Sequence, residues 1–455
     1  MVAEHDVVVV GAGLAGLSAA RALVAEGRDV VVVEARERVG GRLEHGRVDE
    51  QTTVELGGQW VGPTQDHILG LIDELGLETF PTYNEGDNLL EVGGRIRRTG
   101  SSPDALPGLG PVATADLAQG LARFERLAAN VPREAPWTAP DARRLDARTL
   151  ESWISANLHT SVGRHLFRLG VEAVFATQAS DVSLLHALFY AHSGTSWTMM
   201  LGTERGAQHE RIVGGSARIA EAMAADLGER VQLGRPVRRI ETGEGDVRVI
   251  TRGGETLGGQ RVIVTLPPTL AGRLEYDPPL PALRDQLTQR VPAGSVIKTY
   301  AVYDEPFWRD EGLTGQALSD RGPLKVIFDN SPPSGRPGIL LGFAEGEDAR
   351  RMHRLSAEQR RRVVLDVFAR HFGERARRAE EYLERDWMAE EFTRGCYGGH
   401  LTPGVWTGYG DQLRRPCGPI HWAGAETSAR WNGYMDGAVR SGRRAAQEVL
   451  AELDW

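Results

Sequence analysis

A glycine-rich turn near the start of the chain carries the first residues that could do chemistry. A run of four valines precedes Gly11, Gly13 and Gly16, and a second run of four valines ends at Glu34. In a strand–turn–helix unit Gly11 permits the tight turn, Gly13 lets the backbone approach a pyrophosphate, and Gly16 lets the helix pack on the strand. The helix start presents N–H groups to phosphates, and Glu34 can accept hydrogen bonds from ribose hydroxyls. The pattern predicts an adenine dinucleotide site.

The residues after Glu34 distinguish between dinucleotides. Ala35, Arg36, Gly41 and Arg42 belong to the continuation E-A-R-E-R-V-G-G-R, for which an NAD site has no special need. The stretch resembles the E-A-x-x-R-x-G-G-R segment of the flavin amine oxidase family. In that family the second glycine pair and the arginine reach the FAD diphosphate, so the resemblance implies FAD.

Four blocks spread over nearly the whole chain resemble the flavin-dependent monoamine oxidases, in particular their soluble bacterial members. The first block is the nucleotide fingerprint. The second is L-G-G-Q-W-V-G-P-T-Q at 56–65, the third is G-S-V-I-K at 294–298 followed by E-P-F-W at 305–308, and the fourth covers 387–438. Together the blocks carry more weight than a likeness of fold alone.

Lys298 matches the family lysine that holds a water against flavin N5. A fixed cation there would stabilise the negative charge that develops when O₂ takes electrons from the flavin. The alternative is a surface lysine on a strand. Only Lys298 and Lys325 are lysines among the 53 Lys and Arg residues, and two apolar residues precede Lys298, which favours the catalytic role.

Tyr397 and Tyr434 match the two tyrosines of the family's aromatic cage. Two ring faces that flank an amine would steer it towards flavin N5 through cation–π and lone-pair contacts. An alkylamine is an ammonium ion in water, and it must lose a proton before it can release hydride. Because an apolar slot disfavours the charged form, the site needs no dedicated His or Asp base.

Cys396 precedes Tyr397 in G-C-Y, as in family members whose cysteine is linked by a thioether to the flavin 8α-methyl group. A covalent link is favoured over the alternative, a buried free thiol. The resemblance also implies that Trp387 lies near the flavin ring, that Val237 meets adenine, and that Glu426 helps to fix the diphosphate. The remaining implied FAD contacts are Gly57, Gly58, Gln59, Trp60, Gly424, Gly433, Tyr434 and Met435.

The expected substrate pocket is formed by Leu201, Gln208, Val326 and the two cage tyrosines. Gln208 matches the family's pocket glutamine, and Leu201 falls at an apolar gate. Val326 stands where diamine-oxidising relatives carry a carboxylate, which favours an aryl- or alkyl-monoamine. Lys325 would either repel a second ammonium group or face solvent.

The elements that must position these residues predict an α/β fold. We expect a Rossmann-like FAD-binding domain from 1–80, 205–290 and 390–455, interleaved with an α+β substrate-binding domain from 81–204 and 291–389. Apolar patterns predict a helix over 150–175 and a strand over 231–241. The apolar helix around 183–190 is expected to line the pocket or to lie in the core, with His186 as a core histidine.

Composition excludes other classes. The net charge is −9, which disfavours nucleic acid, and the two cysteines argue against a disulfide framework. No apolar run reaches the length of a membrane span, and the N-terminus lacks a basic signal region. We therefore expect a cytoplasmic protein without a membrane anchor or metal site, and a homodimer is an open expectation. Its partners would be a small amine and O₂.

The sequence thus predicts FAD-dependent oxidative deamination of a primary monoamine to aldehyde, ammonia and H₂O₂. Two alternatives on the same fold stay open: a diamine or polyamine oxidase, which needs an acidic pocket, and an L-amino acid oxidase, which needs a cation for the substrate carboxylate. An alternative of another class is a flavin-dependent desaturase or isomerase, or a non-catalytic flavin-binding protein. Retention of Lys298 and both cage tyrosines disfavours that last group.

Overall fold

The computed structural model describes residues 4–50, 52–100, 109–243 and 245–453. Residues 1–3, 51, 101–108, 244 and 454–455 lie outside the described part. The expected domain ranges that include them can therefore be compared with the structure only over the remaining residues.

The described chain alternates between strands and helices. The strands are β1 Glu4–Val10, β2 Val30–Val33, β3 His45–Arg47, β4 Thr53–Glu55, β5 Trp60–Val61, β6 Thr79–Pro81, β7 Asp87–Val92, β8 Arg95–Gly100, β9 Glu210–Ile212, β10 Val231–Gln232, β11 Val237–Thr242, β12 Val247–Thr251, β13 Thr256–Val264, β14 Glu275–Asp277, β15 Val296–Tyr303, β16 Leu313–Ser319, β17 Leu324–Asp329, β18 Gly338–Glu345, β19 Glu381–Asp386 and β20 Ile420–Trp422. The α-helices are α1 Leu14–Ala25, α2 Asp66–Glu74, α3 Pro111–Ala128, α4 Ala142–Asp146, α5 Leu150–Asn157, α6 Ser161–Phe175, α7 Leu184–Ser193, α8 Trp197–Leu201, α9 Ala217–Leu227, α10 Pro268–Ala271, α11 Ala282–Thr288, α12 Phe307–Asp310, α13 Gly346–His353, α14 Ala357–Phe372, α15 Val405–Tyr409 and α16 Met435–Leu453.

The first sheet has the order β10-β2-β1-β13-β12-β11-β14, and β20 pairs with β13 beside this path. Strands β10, β2, β1, β13 and β20 run parallel to one another. The valine runs of β1 and β2 are buried, as expected of parallel strands that are covered on both faces. This arrangement confirms the α/β class and places the glycine turn at the carboxyl end of β1.

Helices α1 and α16 pack against this sheet and against each other through glycines. A Cβ atom on Gly16 would lie 1.9 Å from the Gly11 carbonyl oxygen, and one on Gly442 would lie 2.1 Å from the Ala15 carbonyl oxygen. Any side chain at either position would collide with backbone. Because these glycines have no side chain, α1 lies close to the turn. The start of this helix then lies over the cavity described below.

The second sheet has the order β19-β15-β18-β17-β16-β7-β8. Its neighbouring strands are antiparallel except for β16 and β7, which are parallel. Every residue of β15 and β18 is buried, because these strands are covered on both faces. Lys298 lies on β15, and Val326 lies on the neighbouring part of the sheet in β17. Assignment of the two sheets to the expected domains stays a prediction.

The expected helix over 150–175 is wrong, because the structure has two helices, α5 and α6, in that range. Between them the Asp116 carboxylate of α3 accepts hydrogen bonds from the backbone N–H groups of His159 and Thr160. The Thr160 hydroxyl accepts a hydrogen bond from Gly163 N–H and caps α6. A carboxylate from a helix distant in sequence thus stabilises the turn between α5 and α6. Local periodicity does not reveal this contact.

The expected strand over 231–241 is likewise divided into β10 and β11. Gly234 has a φ of +66° between them, and its N–H donates to the Arg36 carbonyl oxygen at 2.9 Å. The Arg235 N–H donates to the Glu34 carbonyl oxygen at 2.8 Å. These two hydrogen bonds connect the residues between β10 and β11 to the segment that follows β2.

Among the described residues, no helix is both long enough and apolar enough to cross a bilayer.

Candidate active site

One long cavity of about 740 Å³ runs between the first sheet, the second sheet and the helices α6 to α8. We call its two parts the glycine end, lined by Gly11, Gly13, Gly41, Gly57 and Gly58, and the aromatic end, lined by Tyr190, Phe328, Phe343, Tyr397 and Tyr434. The other expected site residues that line this cavity are Glu34, Ala35, Arg36, Arg42, Gln59, Trp60, Leu201, Gln208, Val237, Lys298, Val326, Trp387, Cys396, Gly424, Gly433 and Met435.

Two expected cofactor residues act without lining the cavity. Gly16 lies behind the glycine turn, where it allows the close packing described above. Glu426 is buried beneath Arg42, and its two carboxylate oxygens accept hydrogen bonds from Arg42 Nη1 at 2.6 Å and Nη2 at 2.9 Å. Burial opposes both charges, but their contact raises the pKa of Arg42 and lowers that of Glu426. The pair therefore stays ionised and fixes the guanidinium at the cavity wall.

The glycine end has the features of an anion site. Helix α1 begins after Gly13 without a side-chain cap, so its first N–H groups are not bonded by a capping side chain. Glu34 is buried at the end of β2, and its carboxylate accepts hydrogen bonds from Ala12 N–H at 2.8 Å and Arg36 N–H at 3.0 Å. The glutamate thus also holds the glycine turn in shape.

Lys298 is buried between the two ends. Its Nζ donates to the carbonyl oxygens of Glu55 at 2.6 Å and Gly57 at 2.8 Å, and to Oε1 of Gln59. Burial lowers the pKa of Lys298 to about 7. The amine can therefore hold a proton near neutral pH, but it releases that proton more readily than an exposed lysine.

Tyr397 and Tyr434 reach the aromatic end from two loop segments, one between β19 and α15 and one before α16. Tyr434 lies immediately before α16, and its ring centroid is 4.9 Å from that of Trp431 and 6.2 Å from that of Tyr190. The Tyr397 hydroxyl donates to Glu345 Oε1 at 2.7 Å. Burial raises the pKa of both cage tyrosines, so both stay neutral phenols.

Cys396 and Trp387 lie between the ends, beside Tyr397. Cys396 is buried and forms no disulfide, and burial raises the pKa of its thiol to about 12. Trp387 is buried, and its indole N–H donates to the Leu56 carbonyl oxygen at 2.8 Å. Both side chains line the cavity.

The chain can be compared with known proteins at this point. The family model for flavin containing amine oxidoreductase matches residues 14–450. The chain belongs to this family. The Mycobacterium tuberculosis protein AofH, named as a flavin-containing monoamine oxidase, is 44% identical over 98% of this chain and 97% of its own.

Two solved structures have the same fold. A putrescine oxidase bound to putrescine has a TM-score of 0.94 and 35% identity, covering 98% of this chain and 99% of that chain. The cyclohexylamine oxidase from Brevibacterium oxydans has a TM-score of 0.94 and 31% identity, covering 99% of this chain and all of its own. The expected fold is confirmed, and the protein is a flavin-containing amine oxidase that acts on small amines with O₂.

FAD is the cofactor of the family, and the residues of the cavity fit it. The uncapped start of α1 and the guanidinium of Arg42 suit the diphosphate, and the cavity continues without interruption from there to Lys298. At Gly13 an added Cβ would meet no atom closer than 4.0 Å, so this glycine leaves open space on the cavity side. These residues would hold the nucleotide at the glycine end and the flavin ring beside Lys298.

Two alternatives were expected for Lys325 in this amine oxidase, repulsion of a second ammonium group or a position facing solvent, and both are wrong. Its Nζ is bound to the carboxylates of Glu172 and Asp348, so it neither faces solvent nor presents a free charge to substrate. Lys325 precedes Val326 on β17; Val326 lines the cavity, whereas Lys325 is not among the lining residues. Leu201 is 41% exposed, as suits a residue at the rim of the cavity.

Sequence reasoning missed several residues of the aromatic end. Phe343 and Glu345 come from β18, whose continuous burial gives no sign of which face meets the cavity. Tyr190 lines the cavity on α7, the helix that was expected either to line a pocket or to lie in the core. His186 on the same helix is a core residue: its Nδ1 accepts from Trp406 Nε1 at 3.2 Å, and burial lowers its pKa to about 3.

Proposed function

We propose that this flavin amine oxidase deaminates a primary aryl- or alkyl-monoamine to the aldehyde and ammonia, with O₂ reduced to H₂O₂. The observation that carries the proposal is the composition of the aromatic end. Phe328, Phe343 and Val326 form much of its wall, and Val326 supplies no charge for a second amine. An apolar wall favours a substrate with a single polar end.

The cage tyrosines would prepare the amine for oxidation. Tyr397 and Tyr434 lie in separate loop segments that meet at the aromatic end, and both are partly buried neutral phenols. Their faces would attract the ammonium ion from water through cation–π contact, while the low polarity around them favours loss of its proton. The neutral amine would then stand ready to release hydride or its equivalent.

Lys298 would act in the second half of the cycle. Bound FAD would supply the two-electron acceptor for the amine and pass the electrons to O₂. The Lys298 amine is held by two carbonyl oxygens and by Gln59, so its position varies little. When protonated it would stabilise the negative charge that develops on oxygen during reduction.

Cys396 would attach the flavin covalently. The thiol lines the cavity next to Tyr397 and pairs with no other cysteine. We propose a thioether link, as in the family members with the same G-C-Y segment. Denaturation with acid checks the link, because covalent flavin stays with the precipitate, while release of all the flavin would contradict it.

A second candidate function has one observation in its favour. Glu345 places a carboxyl group at the aromatic end, although Val326 does not. A diamine could place its second ammonium near that group. Relative rates with putrescine and butylamine, which have equal chain lengths, separate the two functions because only putrescine carries a second ammonium group for the acid to bind.

Product analysis tests the proposed function. Purified holoenzyme is incubated in air with benzylamine, phenethylamine, butylamine, putrescine and several L-amino acids. We expect aldehyde, ammonia and H₂O₂ in equal amounts from the monoamines. Products from putrescine or amino acids alone would contradict the proposed substrate class. The homodimer and the cytoplasmic location stay predictions.

A further inference from the structure

Glu345 is a buried acid that the proposed chemistry does not use. It ends β18, is 2% exposed, and lines the cavity. The other carboxylates that line the cavity among the described residues are Glu34 after β2, Glu275 on β14 and Glu391, which pairs with Arg252. Those three lie on the side of the first sheet, so Glu345 is the carboxyl that the second sheet contributes.

The two oxygens of Glu345 have different surroundings. Oε1 accepts the hydrogen bond from the Tyr397 hydroxyl at 2.7 Å. Oε2 is buried and has no hydrogen-bond partner within the protein. An unpartnered buried oxygen costs free energy, which is regained when a ligand supplies a donor or a positive charge. Glu345 therefore has unused binding capacity at the cage.

Charged groups pack behind Glu345 from three elements. They are Glu172 on α6, Lys325 on β17 and Asp348 on α13, and Lys325 binds both carboxylates. The pKa of Glu345 is raised to about 8, chiefly by burial; Glu172 and Asp348 contribute to the rise, while Tyr397 and Lys325 oppose it. The acid thus changes charge within the pH range in which the enzyme can be studied.

Lys298 on β15 is a second group that titrates near the cage. Its Nζ lies 5.5 Å from the ring centroid of Phe343, and burial lowers its pKa to about 7. As pH rises, Lys298 loses a positive charge and Glu345 gains a negative one. Both changes favour a cationic ligand, so an experiment on Glu345 must separate them.

We propose that Glu345 is a specificity-determining residue of the amine site, which gives the cavity a preference for cationic ligands over neutral ligands of the same shape. Neutral Glu345 holds Tyr397 in place and adds no charge. Ionised Glu345 adds a negative charge to the cavity wall beside the Tyr397 hydroxyl, where it attracts an ammonium group. The inference rests on the proposed function only in that the ligand is an amine, and its test requires no turnover.

The test uses a probe whose own charge does not change with pH. Benzyltrimethylammonium and its neutral isostere neopentylbenzene are titrated into holoenzyme between about pH 6 and pH 9.5. This range of about 3.5 pH units includes the pKa values of Lys298 and Glu345. Binding is followed by perturbation of the flavin spectrum. We expect the Kd of the cation to fall about tenfold in total as both groups change charge, while the Kd of the neutral isostere stays constant.

Variants assign the dependence to Glu345. In Lys298→Met the cation should still bind more tightly as pH passes about 8, because Glu345 remains. In the double variant Lys298→Met/Glu345→Gln this dependence should disappear. Lys298→Met/Glu345→Asp should keep it, since an acid is retained, and this conservative variant also guards against a fold defect in the glutamine variant.

Three outcomes would overturn the proposal. One is equal pH dependence in Lys298→Met and in Lys298→Met/Glu345→Gln. Another is a preference for the neutral isostere that does not change with pH. The third is failure of the cation to bind at any pH. Failure of the monoamine proposal gives a different result. The products from the substrate panel then differ from those expected, while the probe titration is unchanged.

Discussion

The glycine end takes its lining from glycine-rich turns within residues 11–58, whereas the aromatic end takes its side chains from segments between 190 and 434 that lie far apart in sequence. At the glycine end, Gly11, Gly13 and Gly16 act through backbone geometry, and a Cβ atom added to Gly16 would collide with the Gly11 carbonyl oxygen. At the aromatic end, Phe343, Tyr397 and Tyr434 act through their side chains. Changes at the first should therefore affect folding and cofactor retention, and changes at the second should affect rates and substrate choice.

The largest expected effect is at the glycine end. Glu426→Gln leaves the Arg42 guanidinium without the carboxylate that binds it through two hydrogen bonds. We expect the free energy of unfolding to fall by about 3 kcal/mol and FAD content to drop. Urea unfolding and the flavin absorbance of the purified protein measure both.

An exposed ion pair provides the control for that variant. Glu374 pairs with Arg377, and its side chain is 81% exposed. Glu374→Gln should change stability by less than about 0.5 kcal/mol, because solvent screens the pair. Equal losses in the two variants would show that the Arg42–Glu426 pair has no special place in the cofactor site.

Gly16→Ala should have the next largest effect. Its new Cβ would lie 1.9 Å from the Gly11 carbonyl oxygen, so α1 must move away from the turn. We expect a loss of about 2 kcal/mol in stability and weaker FAD retention. Gly70 on α2 is the matched control, since an added Cβ there meets no atom within 4 Å. Gly70→Ala should raise stability by about 1 kcal/mol, and destabilisation by both variants would contradict the packing argument.

Lys298→Met tests the role of the lysine that lies between the two ends. If the lysine acts on oxygen, flavin reoxidation by O₂ should slow by about 100-fold, while flavin reduction by the amine slows by less than about tenfold. Stopped-flow measurement of each half-reaction gives the two rates separately. Equal slowing of both half-reactions would remove the proposed role and leave Lys298 as a structural residue.

Tyr434 gives the smallest effect, at the aromatic end. Tyr434→Leu removes the ring face and should lower kcat/KM by about tenfold, while Tyr434→Phe keeps the ring and should stay within about threefold of the parent. Steady-state rates with benzylamine compare the two. A larger loss in the phenylalanine variant than in the leucine variant would show that the hydroxyl, rather than the ring face, is the important group.

The same contrast explains what could be predicted from sequence. The glycine turn was predictable because spacing alone determines where Gly11, Gly13 and Gly16 must lie. Most of the residues taken from the family motifs also line one cavity, although their catalytic roles stay predictions. Each of these positions is identified by a short local pattern.

The errors arose where distant parts of the chain decide the local structure. The break between α5 and α6 depends on Asp116, which lies on α3 and leaves no mark in the periodicity of 150–175. The environment of Lys325 on β17 could not be predicted because its partners, Glu172 and Asp348, come from two helices distant in sequence. Glu345 was missed because an acid at the end of an apolar strand is usually a terminal, solvated residue.

The central claim, that the aromatic end selects a monoamine for oxidation by bound flavin, is tested most directly by anaerobic rapid mixing. Holoenzyme is mixed with benzylamine, butylamine, putrescine and L-amino acids while the flavin band at about 450 nm is followed. The account predicts fast bleaching by the monoamines and slow or no bleaching by the others. Bleaching by putrescine or an amino acid alone, or by no compound at all, would contradict it.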